Sequence, residues 1–400
     1  MNVIWITTQF PSSESDVKGR FIYRTVRELS KEYSVTVICL HSTVPPIIQI
    51  LKDLKNTAKI FRVWREKYPR YPVAPELNAK VIYAKYFRLP RSIFLYFEGR
   101  FGYFAIKKYL KNLIKEDTII HSTWLYPEGD LANIIYNKYK TPFLITLMGS
   151  DVYYLKENSK RWFKAIKIIH NAKMITSVSK ALYDSLEEKN IIIPAEKKHI
   201  THTIYEFENF IIKDKNLLRT QLGVLKNNKI IFYAGNLRKL KNINILIEAF
   251  KLLTSNNSQL LIAGRGEEEG NLKKLVKNYR LENNVKFLGG LTGREMIDYY
   301  NVADVFCLPS QSEGTPNVVI ESLLCGTPVV ASKVGGLPYI IEEGRNGFLV
   351  EPGSILSLKE KLLKGLNTEW NRMDLRNSIS YLSPKNVLRE YEKVYNNFLI

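Results

Sequence analysis

The chain lacks most of what marks a secreted, membrane-spanning or repetitive protein. Among 400 residues there are only three cysteines, Cys39, Cys307 and Cys325. An odd number without metal-ligand spacing argues against a disulfide framework and fits a reducing compartment; each thiol is expected as a small buried side chain. No run reaches the roughly 20 apolar residues that would span a bilayer. The start, Met1 to Phe10, has no basic segment, and Gln9 interrupts it too early for a signal-peptide core. No solenoid-length repeat and no low-complexity segment is present. The expectation is a cytoplasmic protein, soluble or peripheral at the inner face of a membrane.

Acidic residues are also scarce, and unevenly so. Residues 1–200 hold 33 Lys+Arg against 18 Asp+Glu, and residues 201–400 hold 26 against 21, so +15 of the net +20 lies in the first half. Such asymmetry suggests an anionic partner there: lipid headgroups, phosphates or nucleic acid. A hydrophobic content of 45% is nonetheless that of a globular chain. At 400 residues it is too long for one ordinary core, so two domains are expected.

Apolar β-branched runs alternate with amphipathic helical stretches throughout, which predicts α/β domains with parallel sheets covered by helices. Strands are expected at Val3–Thr7, Val35–Cys39, Thr118–Ser122, Phe143–Leu147 and Met174–Ser177. In the second half they are expected at Ile230–Tyr233, Leu260–Ala263, Val285–Phe287, Val305–Leu308, Val329–Ala331 and Phe348–Val350. The stretch Glu206–Asn216 is polar and aperiodic and marks a boundary, giving domains 1–205 and 217–383. Pro384 then opens a last amphipathic helix, 384–400. Between Val44 and Lys115 the rhythm breaks: aromatics mix with Arg and Lys (Trp64-Arg65, Tyr68-Pro69-Arg70-Tyr71, Tyr86-Phe87-Arg88, Phe94-Leu95-Tyr96-Phe97). Two readings stand: core helices with solvated basic faces, or a helical insert gripping an anionic membrane surface or acceptor.

The densest chemical signal runs from Ser312 to Glu321, SEGTPNVVIE. It follows a buried strand and opens a helix, with Thr315 expected as N-cap and Pro316 at the first helical position. Backbone N–H groups of Thr315, Asn317 and Val318, on either side of Pro316, would then face a ligand at the positive end of the helix, a cradle for a diphosphate. Glu313 stands in the loop before the helix start. Glu321, four residues after Asn317, shares a face with the first turn. Two acids on either side of a phosphate site match the layout of a nucleotide sugar: sugar, diphosphate, ribose. An ordinary strand–helix turn is the competing reading, and a glutamate on so apolar a helix fits it poorly.

Glu313-x7-Glu321 followed by Leu-Leu-Cys-Gly-Thr-Pro-Val-Val-Ala-Ser-Lys-Val-Gly-Gly-Leu-Pro resembles the signature of glycosyltransferase family 4, the retaining enzymes of the GT-B fold; Asn346 to Val350 is similar to the strand that follows in that family. The resemblance implies two facing Rossmann-like domains with an interdomain cleft, a polysaccharide or lipid-glycan pathway, and the terminal helix packing back on the first domain. It implies a UDP-, GDP- or ADP-sugar donor, a glycan or lipid-linked acceptor, and no cofactor or required metal. Glu313 would contact the donor sugar, Glu321 the ribose, and amides from Gly314 to Val318 the diphosphate and sugar. In Ala234 to Asn242, Lys241 matches the family lysine that neutralises the diphosphate, while Asn236 stands at the usual arginine and Arg238 is offered as its substitute. Gly264 resembles the glycine-rich loop bordering the nucleotide, and Gly19 the N-terminal glycine loop. His121 and Asp151 end two strands of the first half and are candidate catalytic groups; Met148 replaces the family's usual histidine.

Rival readings follow from the same residues. A glycoside hydrolase also needs two carboxylates, about 5–10 Å apart, but needs no basic loop aimed at a diphosphate. A nucleic-acid-binding module would exploit the charge, yet no DNA- or RNA-reading motif is present and no nucleic-acid partner is assigned. A non-catalytic nucleotide-sugar binder is the third.

Overall fold

The computed structural model describes residues 1–11, 19–42, 77–86, 96–224, 228–253, 257–314 and 316–399, with isolated positions 53, 56, 57, 59, 60 and 62. The chain divides into two units, Met1–Tyr205 with Pro384–Ile400, and Glu206–Ser383.

The first unit is a seven-stranded sheet of β1 (Asn2–Thr7), β2 (Ser34–Ser42), β3 (Lys80–Tyr86), β4 (Thr118–Thr123), β5 (Phe143–Leu147), β6 (Met174–Ser177) and β7 (Lys198–Ile200), in the order β3-β2-β1-β4-β5-β6-β7. All pairings are parallel. The central strands carry apolar side chains on both faces because both faces are covered. In β1, Ile4 and Ile6 join one core while Val3 and Trp5 join the other. The first core is packed by α2 (Glu98–Leu113), α3 (Glu128–Tyr139) and α4 (Lys160–Asn171). The second core is packed by α1 (Arg20–Leu29) and by the terminal helix Pro384–Asn396, which buries Val387, Tyr391, Val394 and Tyr395.

Two strands have no counterpart in the sequence expectations. β3, KVIYAKY, lies inside the stretch read as helical; its lysines at both ends hid the apolar alternation of an edge strand. β7 is only KHI, too short to register as a pattern. Trp64-Arg65, Tyr68 to Tyr71, Phe87-Arg88 and Phe94-Leu95 lie outside the described residues.

The second unit is a six-stranded sheet of β8 (Lys229–Ala234), β9 (Ser258–Ala263), β10 (Val285–Gly289), β11 (Val305–Leu308), β12 (Val329–Ser332) and β13 (Gly347–Val350). Its order is β10-β9-β8-β11-β12-β13, again with every pairing parallel. In both sheets the order reverses next to the first strand, at β1/β4 and at β8/β11. Ligands of such sheets bind outside the carboxyl ends of the strands at this reversal, because the two flanking loops diverge there and leave a crevice.

The aperiodic stretch after Tyr205 is held to the second unit through its carbonyls. Arg376 donates to the carbonyls of Phe207, Phe210 and Leu324, and Arg372 to those of Lys213, Cys325 and Gly326. Two guanidiniums thus supply the donors that a strand or helix would otherwise provide. Among the described residues no helix is long and apolar enough to cross a membrane.

Candidate functional site

In the second unit the loop after β8 and the loop after β11 flank the sheet reversal. A short 3-10 turn, Lys239–Lys241, ends the first loop, and α5 (Asn317–Leu324) begins at the end of the second. Gln311 ties the two loops together: its amide donates to the Leu240 carbonyl at 2.9 Å and its side chain to Asn242 Oδ1 at 2.9 Å. Across the reversal, Lys241 Nζ meets Glu313 Oε1 at 2.6 Å, with side chains 24% and 9% exposed. Two residues 72 positions apart in sequence are therefore one charge pair at the crevice.

The glycines around this pair are needed for close packing. A Cβ on Gly335 would stand 1.8 Å from the Glu313 carbonyl oxygen, and the Gly336 amide donates to the Gly314 carbonyl at 3.0 Å. The Val-Gly-Gly loop after β12 thus props the Glu313 loop from beneath, a role the sequence did not disclose. Gly264 and Gly266 act similarly on the Lys241 loop. Cβ atoms there would lie 1.9 Å from the Gly235 oxygen and 2.2 Å from the Leu237 oxygen. Their first physical task is to let neighbouring strand exits touch.

α5 starts one residue later than expected. Pro316 is its N-cap and Asn317 its first residue, with no side-chain cap; Thr315 lies outside the described residues. Pro316 adopts an extended ψ of 115°, which removes it from the first helical position. No side chain caps this first turn, which lies at the positive end of the helix dipole, where an anion is favoured. Asn317 is exposed, while Gly314 and Val318 are half-buried. Val319, Ile320, Leu323 and Leu324 fill the core, so Glu321 takes the opposite face, where its Oε2 accepts from the Tyr300 hydroxyl at 2.9 Å. Tyr300 is fully buried, and burial with the Glu321 charge beside it pushes its pKa well up, so it stays a neutral donor. This bond orients the Glu321 carboxylate, an acceptor-only group of the kind that binds ligand hydroxyls. Arg238 and Asn236 are exposed on the Lys241 loop, and among the described residues Arg238 enters no ion pair.

The first-unit candidates do not gather in the same way. Gly19 has φ +75°, and a Cβ would meet the Gln9 carbonyl oxygen at 2.4 Å; it lets the β1 exit close over the start of α1. Asp151 is a loop clamp. Its Oδ1 accepts from the amides of Met148 (3.2 Å) and Gly149 (2.9 Å), and its Oδ2 from Leu125 (2.9 Å). Burial raises its pKa against the pull of those three donors. Met148 packs against both cores of the unit, an apolar role that the usual histidine would not fill.

His121 is fully buried. One ring nitrogen bonds the Tyr395 hydroxyl at 2.8 Å and the other Thr146 Oγ1 at 2.7 Å, and the ring lies 3.7 Å from that of Trp5. Burial pushes its pKa down to about 3. With both nitrogens occupied inside the core, it cannot serve as the catalytic group that the strand-end position suggested; it docks the terminal helix.

A further acid escaped the sequence reading. Glu128 begins α3 at the reversal of the first sheet, and its Oε1 accepts the Thr8 amide at 2.8 Å, joining the β4 and β1 exits. It is fully buried, its Oε2 has no hydrogen-bond partner, and burial raises its pKa to about 8. The signal available in the sequence was an acid just past a strand, in Tyr-Pro-Glu-Gly.

Comparison with known proteins places this geometry. Residues 214–383 match the family described as Glycosyl transferases group 1. Over 371 residues the chain is 27% identical to the putative teichuronic acid biosynthesis glycosyltransferase TuaC of Bacillus subtilis, covering 91% of this chain and 89% of that protein. It is 30% identical over 270 residues to the uncharacterized glycosyltransferase MJ1178 of Methanocaldococcus jannaschii, covering 66% of this chain and 70% of that one. Among solved structures, Anabaena Alr3699/HepE in complex with UDP aligns with a TM-score of 0.70 and 18% identity, over 99% of both chains.

Proposed function

The chain belongs to the group 1 glycosyl transferases, and from that premise we propose that it moves a sugar, with retention, from a nucleoside-diphosphate sugar to a hydroxyl of a glycan or lipid-linked acceptor. The observation that carries the reading is the Lys241–Glu313 pair beside the uncapped start of α5 at the reversal of the second sheet. A diphosphate at that helix start meets the positive dipole end and the Lys241 ammonium together. Arg238 adds a second cation from the same loop. Glu313 then faces the transferred sugar, and Glu321, held by Tyr300, faces the ribose hydroxyls. Asp151 positions loops and contacts no substrate in this scheme, and Gly19 closes the β1 exit.

Chemistry follows from the charge that develops as the sugar–phosphate bond breaks. Donors aimed in advance at that charge supply the largest part of the rate enhancement. The acceptor oxygen attacks from the face that the diphosphate leaves, and the departing phosphate oxygen takes its proton, so configuration is kept. The leaving charge is met by Lys241, Arg238 and α5 amides; the scheme assigns no metal.

A screen of UDP-, GDP- and ADP-sugars by thermal shift tests this reading and fixes the donor. One nucleotide class is expected to stabilise the protein by several degrees at saturating concentration, and transfer is expected to persist in EDTA. Glu321→Ala is expected to weaken the selected nucleotide about tenfold or more, since the ribose hydroxyls lose a charged acceptor. The assignment fails if no nucleotide shifts the melting temperature, or if Glu321→Ala binds like the wild type.

The basic first half is assigned to the inner face of a membrane, as the family's lipid-linked substrates suggest. Exposed Phe97, Phe104 and Phe163 stand among Arg100, Lys107 and Lys160 on α2, α4 and their flanks, pairing apolar anchors with cations. Co-sedimentation with phosphatidylserine vesicles at low salt, and loss of it at high salt, is the expected result. Failure to sediment at low salt rejects the placement.

A further inference from the structure

A pocket of about 270 Å³ opens in the first unit between the exits of β4 and β5, and the scheme above leaves it unused. Its walls are aromatic: Trp124 and Tyr126 from one loop and Tyr154 from the other. Tyr154 is 79% exposed, a high value for so large an aromatic side chain. Polar groups converge on the same space from Ser150, Asp151 and Arg161.

Two of the charges in and under the pocket are taken up by protein partners. Lys164 lies beneath Tyr126, and its ammonium is taken by Asp130 at 2.5 Å and by the Tyr96 carbonyl at 2.7 Å. The Asp151 carboxylate is filled by three backbone amides. Glu98, in the lining, is a buried acid at the start of α2. Arg161 is different. Its guanidinium rests 5.3 Å from the centre of the Tyr126 ring, and among the described residues it joins no carboxylate. Stacked on an aromatic face, an arginine keeps its fork of N–H donors directed outward for a planar anion.

From this arrangement we propose that the pocket is an acceptor subsite for one sugar ring bearing an anionic group, the ring lying against the tyrosine faces and the anion on Arg161. The proposal rests on the glycosyltransferase reading and names the class of its acceptor. The volume is just below the usual range for drug-sized ligands, which suits a single ring. Aromatic faces accept the C–H side of a sugar ring, and Ser150 and the tyrosine hydroxyls are placed for its hydroxyls. A prenyl chain fits less well, because a charged side chain and a serine would be desolvated against it. The anion is a carboxylate or a phosphate; both satisfy the same fork.

Ligand-observed NMR on the full chain tests this with methyl glucuronoside, methyl glucoside, glucose 6-phosphate and inorganic phosphate as probes. One or both charged sugars are expected to bind at least tenfold more tightly than methyl glucoside, and which one does so identifies the anion. Arg161→Met is expected to remove that preference, and Tyr154→Ala to weaken charged and neutral rings alike. Both positions are at least partly exposed, and an unchanged melting temperature with unchanged binding of the selected nucleotide confirms that the variants are folded. Equal binding of charged and neutral sugars, a preference that survives Arg161→Met, or binding of inorganic phosphate as tight as that of the sugars each overturns the proposal. So does displacement of the bound sugar by a short-chain prenol. Loss of nucleotide binding in the wild type would instead defeat the donor-site reading, so the two failures are told apart.

Discussion

Lys241→Ala is expected to lower kcat by about 10²–10³-fold while changing the KM for donor much less. That is the size lost when one donor aimed at a developing oxyanion is removed, because its contact strengthens as charge moves onto the diphosphate. In the ligand-free protein the same ammonium neutralises Glu313, whose side chain is 9% exposed. Removing it therefore leaves a partly buried carboxylate without its partner, at about 1–3 kcal/mol. The variant should be less stable as well as slower, and turnover must be measured well below its melting temperature. Glu313→Ala is expected to lower turnover similarly, and the double variant to lose less than the product of the two, since the groups touch. Wild-type turnover in Lys241→Ala, measured by release of the nucleoside diphosphate, would remove the catalytic assignment.

The second large effect is on stability against pH. Glu128 titrates near 8 in the folded protein against a usual value of 4.5, so the folded state binds the extra proton between those values. Stability contributed by that proton is complete below about pH 4.5 and is lost as pH rises through about 8. His121 works from the other side. Its value falls from 6.5 to about 3, so the unfolded chain binds the extra proton, and stability is lost as pH falls from about 6.5 toward 3. Between about 4.5 and 6.5 the two slopes oppose each other, and these groups together predict a plateau flanked by falling limbs. Each unit of pH on one limb is worth about 1.4 kcal/mol. Glu128→Gln keeps the carbonyl that accepts from Thr8 and cannot ionise. Its melting temperature is expected to match the wild type near pH 4.5 and to exceed it by a widening margin up to pH 8. Parallel melting curves across that range would show that Glu128 is already ionised in the fold.

The architecture was legible where burial on both faces imposed long apolar runs. Phe143–Leu147, Met174–Ser177 and Val305–Leu308 were located to the residue, because no charged residue interrupts them. β3 was not, since an edge strand with lysines at its ends carries its signal on one face only. The Glu313–Glu321 spacing was readable because strand exit, helix start and acid all lie within one short stretch. Contacts that join distant segments were beyond reach. Neither the close approach of Gly335 to Glu313 nor the bond from Tyr395 to His121 leaves a local pattern. A lone histidine at a strand end looks the same whether it faces solvent or a returning helix, and here the helix decides.

That returning helix has a consequence for biogenesis. Unit one is assembled from two segments of the chain separated by the whole of unit two, with Val387, Tyr391, Val394 and Tyr395 seated on the face of β1 and β4. During translation that face stays uncovered until the ribosome has made the whole intervening unit and then the last helix. The unit made later can fold first, and the half that emerges earliest must wait with an unclosed apolar surface, the period in which chaperones have most to hold.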